Sequence, residues 1–205
     1  MSKRTLMSLL LLTTVIVGCS GSPSASTGAP AVSPAQMTVP IKVSGVISAM
    51  GSTGPQTIML QAQATNFSTD AEVAQLQGIL KDKGQRELVD TLYAWSDKNE
   101  KGWVRIGPSL GYPIAVIRSK ALPNGGRQIA FVSSRPISFA GMKAGAAATE
   151  YPIGIFMVTV GPDGKGEGKI YGMIQAEVKN GEFELSSYSG GLPQLVTNIL
   201  MTSGK

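Results

Sequence analysis

The chain has 205 residues, of which 18 are lysine or arginine, 13 are aspartate or glutamate and none is histidine, which gives a formal charge of +5. A single cysteine excludes an internal disulfide, and the lack of histidine excludes both a Ser-His-Asp triad and zinc sites of the Cys/His type. The basic residues are scattered, so the composition lacks the clustered charge of a nucleic-acid-binding protein.

Residues 1–18 are typical of a lipoprotein signal peptide. Lys3 and Arg4 supply a charged start, and the apolar stretch LMSLLLLTTVIV that follows is shorter than the about 20 residues a membrane-spanning helix needs. Residues 16–19, IVGC, resemble the lipobox of bacterial lipoproteins, in which a peptidase cuts before a cysteine that carries diacylglycerol. The sequence therefore predicts lipidation at Cys19 and anchoring in the cell envelope. Because Ser20 replaces the aspartate typical of inner-membrane retention, we expect the outer membrane, facing the periplasm or the cell surface.

Behind the cysteine, residues 19–36 are mostly Ser, Gly, Ala, Pro and Thr and carry no charge. Such a composition cannot bury enough apolar surface to fold, so it predicts a flexible linker. Residues 37–205 are expected to form a single α+β domain. Without Lys3 and Arg4, the mature chain keeps 16 basic and 13 acidic residues, a mild charge of about +3.

The first half of the domain is predicted to contain two strands followed by two helices. TVPIKVSGVI and TIMLQAQAT alternate apolar and polar residues, which is the period of half-buried strands. Thr69 and Glu72 then form a capping-box pattern, and apolar residues recur at helical spacing until Gly84, a stop signal. A second apolar series continues to Trp95. We therefore expect two short helices that form a hairpin.

After Trp103 the sequence predicts six strands: WVRI, PIAVIR, RQIAFVS, IGIFMVTV, KIYGMIQAEVK and EFELSSY. PNGG and GPDGKGEG are predicted to be turns between them. The dipeptide Asn180-Gly181 favours a two-residue type I′ hairpin, which places Glu177 opposite Glu184 and Lys179 opposite Glu182. Successive hairpins imply a mainly antiparallel, curled or barrel-like sheet, with the inserted helical hairpin covering one face or an open end.

Four stretches of the domain resemble an uncharacterised family of exported bacterial proteins. They are STDAEVAQLQGILKDKGQRELVDTL, LGYPIAVIR, PNGGRQIAFVSSRPISF and YPIGIFMVTVGPDGKGEGKI. They are similar to that family's stretches of the type RPISF, YPF and GEG, and the likeness covers most of residues 57–200. The resemblance implies one domain over this region, and it brings no known activity, cofactor or partner.

Local catalytic motifs are weak. GPSLG at 107–111 fits the G-x-S-x-G pattern of hydrolases, but a predicted strand rather than a helix follows it and no histidine is available. GPDGKGEG misses the phosphate-loop and dinucleotide patterns, and it offers only Asp163 and Glu167 to calcium. We read both as turns. No S-x-x-K occurs, so a serine and a desolvated lysine could meet only through folding.

Arg135, before Pro136, and Glu150, before Tyr151, are candidate binding residues. A salt bridge with a purely structural role is a simpler expectation for Arg135 and Glu150 than a binding site.

Glu177 and Glu184 form the sharpest candidate pair. Their predicted register separates the β-carbons by about 4.5–5.5 Å, at which distance two carboxylates raise each other's proton affinity and can serve glycosidic bond hydrolysis. We expect Lys169 and Lys179 on the same face, where they would neutralise the pair. The ordinary interpretation of Glu177 and Glu184 is then that they belong to an exposed strand face without a catalytic role.

Because no catalytic set emerges, the sequence favours a non-enzymatic envelope lipoprotein that binds a protein partner or supports envelope assembly. Two alternatives stay open. A curled sheet covered by helices could enclose a lipid or another apolar small ligand, which would make the protein a carrier. Glu177 and Glu184 could instead belong to a carboxylate-based glycan hydrolase. The sequence implies no metal and no cofactor.

Overall fold

The computed structural model describes residues 39–51, 54–138, 147–179, 182–188 and 192–204. The signal peptide, Cys19 and the linker lie outside these ranges. Within them the chain forms nine strands and two helices: β1 (Ile41–Gly51), β2 (Gly54–Ala64), α1 (Asp70–Lys98), β3 (Gly102–Ile106), β4 (Tyr112–Ala121), β5 (Arg127–Ser133), α2 (Ala147–Glu150), β6 (Ile153–Val160), β7 (Lys165–Lys179), β8 (Glu182–Ser187) and β9 (Gln194–Ser203).

Eight of these strands form a closed antiparallel barrel. Neighbours pair in the order β6-β5-β4-β3-β2-β1-β9-β7, and β6 also pairs with β7, which closes the cylinder. The ninth strand, β8, pairs with the C-terminal half of β7 and, among the described strands, with no other. The expected α+β fold with a barrel-like sheet is correct in outline, although the architecture is mostly β.

Apolar side chains of the protein fill the barrel interior. Phe131 and Phe156 are fully buried there, with stacked ring centroids 5.7 Å apart. Gly168 faces the same space, and a β-carbon at that position would lie 2.8 Å from the Phe156 ring. The glycine is therefore required by the close approach of a core side chain. The other buried interior residues are contributed by strands all around the cylinder, including Ile47, Leu60, Val104, Ile117, Ile129, Val158, Ile170 and Val196.

Helix α1 folds back on itself at Gly84. A straight helix of 29 residues would be about 43 Å long, yet Glu72 in its first turn forms an ion pair of 2.8 Å with Lys101, just after its end. Gly84 breaks the helical geometry with φ +82 and ψ −177, a conformation that is essentially confined to glycine. The predicted stop at Gly84 and the predicted capping box, in which Thr69 and Glu72 bond reciprocally, are both confirmed.

The two halves of α1 cover one side of the barrel from outside. Their inward leucines form a second apolar layer with residues on the outer face of β4, β6 and β7. Its buried members are Leu76, Leu80, Leu88, Leu92, Ala115, Val116, Ile153, Ile155, Met157, Tyr171, Ile174 and Ala176. β4 and β7 therefore carry apolar residues on both faces, with Ile117 and Ile170 inside and Val116 and Tyr171 outside.

Strand β7 contains a bulge that reverses which residues face the helix. Ile155 pairs with Tyr171 but Ile153 pairs with Ile174, so β7 has one residue more than β6 across this step. Tyr171 and Ile174 both lie under α1, although they are three residues apart. A one-residue insertion exchanges the two faces of all later positions.

One sequence prediction about a strand is wrong, and one strand was missed. GPDGKGEG is not wholly a turn, because β7 already begins at Lys165. The final strand β9, which closes the barrel between β1 and β7, was not predicted. Asn198 has φ +51 and lies where the pairing with β1 shifts register, so Val196 and Ile199 both face the interior. The odd spacing hides the period of two by which strands are recognised.

Candidate functional site

Lys101 is the buried cation of the described chain, and it has a structural role. Its side chain is 5% exposed, and its ammonium group contacts the carboxylate of Glu72 at 2.8 Å. The Lys101 hydrogen bond, together with the backbone N–H of Thr69, holds the pKa of Glu72 below its usual value. The Lys101 carbonyl also accepts bonds from Thr65, at 2.8 Å from its N–H and 2.9 Å from its hydroxyl. In the ranges that the structure describes, the Lys101 ammonium pairs with Glu72 rather than with a serine, so this lysine forms no Ser-Lys dyad there.

The GPSLG segment is a turn between β3 and β4. The Ser109 hydroxyl accepts a hydrogen bond of 3.3 Å from the backbone N–H of Ile106. Gly107 and Gly111 have φ +57 and +99, respectively, and strand β4 starts at Tyr112. The interpretation of this segment as a loop is confirmed, and Ser109 does not occupy a strand-to-helix elbow.

The Glu177–Glu184 register is as the Asn180-Gly181 dipeptide predicts. Glu177 lies opposite Glu184, and Gln175 lies opposite Ser186 on the same face, where their side chains hydrogen-bond at 3.2 Å. Both glutamates are half-buried. Asn180 and Gly181 themselves lie outside the described residues.

The expected neutralisation of this pair by Lys169 is wrong. Lys169 precedes the β7 bulge and shares the side of Tyr171. Beyond the bulge, Ala176 faces α1, so Glu177 points to the opposite side of the strand. The side chain of Lys179 is outside the described part of the chain.

Arg135 stacks on Tyr93 instead of forming the expected salt bridge. Its guanidinium carbon lies 5.1 Å from the Tyr93 ring centroid, and one of its nitrogens donates a hydrogen bond of 3.2 Å to the Tyr93 hydroxyl. Glu150 is held through its backbone, because its carbonyl accepts a bond of 3.0 Å from the side chain of Gln85. Neither Arg135 nor Glu150 takes part in an ion pair among the residues described.

A second aromatic contact lies close to this one in the fold. The rings of Tyr151 and Tyr188 meet edge to face with centroids 5.5 Å apart. Tyr93 and Tyr188 are about half exposed, at 48% and 55%, and Arg135 is exposed. We call these four residues the tyrosine–arginine surface.

The β7 bulge brings the segments that carry this surface together. The N–H of Ile137, two residues after Arg135, donates to the carbonyl of Gly172 at 2.8 Å. The N–H of Tyr188 donates to the carbonyl of the adjacent Met173 at 3.1 Å. Arg135, Tyr151 and Tyr188 therefore occupy the end of the barrel at which β5 finishes and β6 begins. Glu150, Glu177 and Glu184 lie at this same end, so the fold gathers the four candidate charged residues without joining them in one contact.

Tyr93 and Tyr188 were not singled out from the sequence. Tyr93 has a detectable signal: it directly follows the buried Leu92 and thus points away from the apolar stripe formed by Leu88 and Leu92. A large aromatic residue on the polar side of an amphipathic helix is a candidate contact residue. Tyr188 follows the last residue of β8 and has no comparable signal.

Within the described residues, no group of three or more Asp, Glu, Cys or His side chains is placed to hold a metal ion. In the same ranges, no helix has both the length and the apolar character needed to cross a membrane. Comparison of the chain with protein-family models, with curated proteins and with solved structures gave no match.

Proposed function

We propose that this protein is a lipid-anchored envelope lipoprotein whose barrel domain is a non-enzymatic module for binding another envelope protein. The lipobox ending at Cys19 supports the anchor. The observation that carries the binding role is the pairing of Arg135 with Tyr93 on an exposed surface, at the end of a barrel whose interior is occupied by its own side chains.

The filled interior favours binding on the outside of the barrel. A carrier of an apolar ligand needs an enclosed apolar chamber, whereas Phe131 and Phe156 occupy the centre of this one. A groove of about 490 Å³ beside β2 and β3 is open to solvent rather than enclosed, and polar residues (Thr57, Gln61 and Arg105) line it together with apolar ones (Ile58, Met59 and Pro108). The carrier alternative therefore has less support than a surface-binding role.

The chemistry of the tyrosine–arginine surface suits a protein partner. Tyr and Arg are enriched at protein interfaces, where they act as anchors that combine apolar area with hydrogen bonding. Stacking on Tyr93 restricts the Arg135 side chain before a partner arrives, so less conformational entropy is lost on binding. Tyr93 and Tyr188 are themselves about half exposed, and a tyrosine combines an apolar ring with a hydroxyl that can form a hydrogen bond with a partner.

Photo-cross-linking in the native host tests this role. A photoreactive amino acid replaces Asp97, which is exposed and lies one helical turn after Tyr93. In the matched control it replaces Lys81, an exposed residue in the other half of α1. We expect a discrete adduct from position 97 that is lost when Arg135→Ala is added. Equal adducts from both positions, or an adduct at 97 that is insensitive to Arg135→Ala, would contradict the proposal.

The opposed carboxylates support a second candidate, a glycan hydrolase. Glu177 and Glu184 are cross-strand neighbours, and both are half-buried. Hydrolysis of a glycosidic bond requires two carboxyl groups close together. Release of soluble fragments from cell-wall glycan by the purified protein is the test. Under the binding proposal, neither the wild type nor the Glu177→Gln, Glu184→Gln variant releases fragments. Hydrolysis that is lost in this variant but kept in Glu87→Gln would favour the hydrolase.

A further inference from the structure

On one side of the barrel, neither of the described helices packs against the strands. Around a closed barrel of eight strands, those four positions apart lie on opposite sides, so β9 lies opposite β4 and β1 lies opposite β5. Since α1 packs on β4 and β7, the outward side chains of β9, β1, β2 and the N-terminal half of β7 remain uncovered by it. We call this the open face.

The open face exposes two leucines on one strand. Leu195 and Leu200 of β9 point outward and are 53% and 46% exposed, while the neighbouring Val196 and Ile199 fill the interior. Strand β9 is thus apolar on both sides, although α1 covers neither leucine. Exposed leucines that stand singly are ordinary at a protein surface, so the significance of these two depends on the residues beside them.

Lysines lie directly beside these leucines. In the register between β7 and β9, Lys169 is opposite Leu195 and Lys165 is opposite Leu200. Lysine side chains of this kind extend along apolar neighbours and keep the ammonium group at the outer surface.

The charge of the open face is positive. Lys42 of β1 adds a third cation, opposite Thr202 of β9. Among the described outward residues of these strands, one carboxylate is present, that of Glu167 in β7. Asp163 lies at the margin, in the turn before Lys165, where it accepts a backbone bond of 3.1 Å. Even with Asp163 included, three cations outnumber two carboxylates, and this balance favours an anionic contact surface.

The chain enters the domain at this same face. β1 begins at Ile41, which pairs with Ser203 at the end of β9, so the residues leading back to Cys19 join the barrel beside Lys42 and Leu200. The anchored segment therefore joins the domain on the side of the open face rather than on the helix-covered side. A lipid surface rich in anionic phosphate groups matches the lysines, the leucines and the point of attachment together.

We propose that the open face lies against the anionic headgroups of the membrane, with Leu195 and Leu200 entering the interfacial region. This inference rests on the proposed lipid anchor at Cys19. It directs α1, and Tyr93 upon it, away from the bilayer and toward the partner.

Labelling of single cysteines tests this orientation. Because acylation consumes Cys19, which is the one cysteine of the chain, a cysteine at Leu200→Cys is a unique thiol, and Lys81→Cys on α1 is the control. The acylated full chains are reconstituted into vesicles that contain phosphatidylglycerol or only phosphatidylcholine, and an uncharged maleimide-polymer reagent measures thiol access. Leu195→Cys serves as a second position if Leu200→Cys folds poorly.

We expect the labelling rate of Leu200→Cys to fall several-fold in phosphatidylglycerol vesicles relative to phosphatidylcholine, while that of Lys81→Cys stays unchanged. Adding Lys165→Glu and Lys169→Glu should restore the rate. Chains that float with the vesicles but label equally fast at both positions would overturn the orientation alone. Acylated chains that fail to float would overturn the anchor and this inference with it.

Discussion

The side chain of Gln85 satisfies a backbone group of Ala176, a residue 91 positions away, by accepting its N–H at 2.7 Å. The same carboxamide donates to the carbonyl of Glu150 at 3.0 Å. The pairing of β7 with β6 ends at Ile174. Beyond that residue, Gln85 supplies the hydrogen bonds that a neighbouring strand would otherwise supply. A side-chain amide has the same donor and acceptor as a peptide group, so the strand edge is satisfied without another strand.

Replacing Gln85 with Ala should lower the free energy of unfolding by about 1–3 kcal/mol, because the partly buried N–H of Ala176 would lose its acceptor. Chemical denaturation measures the change. The control is Gln75→Ala at an exposed position on the same helix, where the expected change is within about 0.5 kcal/mol. Equal effects of the two substitutions would show that the bridge contributes nothing.

Two glycines of α1 should respond to alanine with opposite signs. Gly84 adopts φ +82 at the reversal of the helix, so Gly84→Ala should destabilise the fold by about 1–3 kcal/mol. Gly78 has ordinary helical geometry with open space where a β-carbon would stand, so Gly78→Ala should stabilise by about 0.5–1 kcal/mol. Thermal unfolding compares them, and a stabilising Gly84→Ala would contradict the reversal at this residue.

The Glu72–Lys101 ion pair should make stability depend on pH in the acidic range. The pKa of Glu72 is lowered in the folded protein, so its contribution is present above the unfolded pKa of about 4.3 and is lost as pH falls through the folded pKa. Glu72→Gln should therefore be less stable than the wild type at pH 6, with a difference that shrinks below about pH 4. Denaturation across pH measures it.

The control for this pH dependence is Glu87→Gln, which breaks the exposed pair with Lys83. Exposed pairs contribute about 0–1 kcal/mol, so this variant should follow the wild type at each pH. A constant difference between the wild type and Glu72→Gln from pH 6 to pH 3 would refute the assignment.

The filled interior predicts that an added fatty acid will not raise the melting temperature of the wild type. Phe156→Ala should cost about 3–5 kcal/mol, because it removes a fully buried ring and leaves a cavity. Any stabilisation by a small apolar ligand should then appear in this variant and not in the wild type. Fatty acid that stabilises the wild type as well would revive the carrier interpretation.

Local sequence rules predicted those parts of the fold that depend on a few neighbouring residues. The capping box at Thr69 and the stop at Gly84 are confirmed because each depends on the hydrogen bonding or backbone geometry of one helical turn. The register of Glu177 with Glu184 follows from Asn180-Gly181, since a two-residue turn fixes which positions face each other.

Features that depend on contacts between distant segments were not predicted. The β7 bulge inserts one residue and moves Lys169 away from the side of Glu177, and the positive φ of Asn198 hides β9 in the same way. The stacking of Arg135 on Tyr93 joins residues 42 positions apart, and no periodicity in either segment specifies it. Much of the candidate site therefore depends on contacts in the folded barrel and could not be predicted from the sequence.

The most direct test of the central claim is the mass of the N-terminal peptide of the protein purified from membranes of its native host. We expect a chain that begins at Cys19, with residues 1–18 removed and acyl chains attached to its sulfur. Two chains hold a protein stably at a bilayer, whereas one binds only marginally. Recovery of an unmodified Cys19 thiol, or of the intact leader, would contradict a lipid-anchored protein.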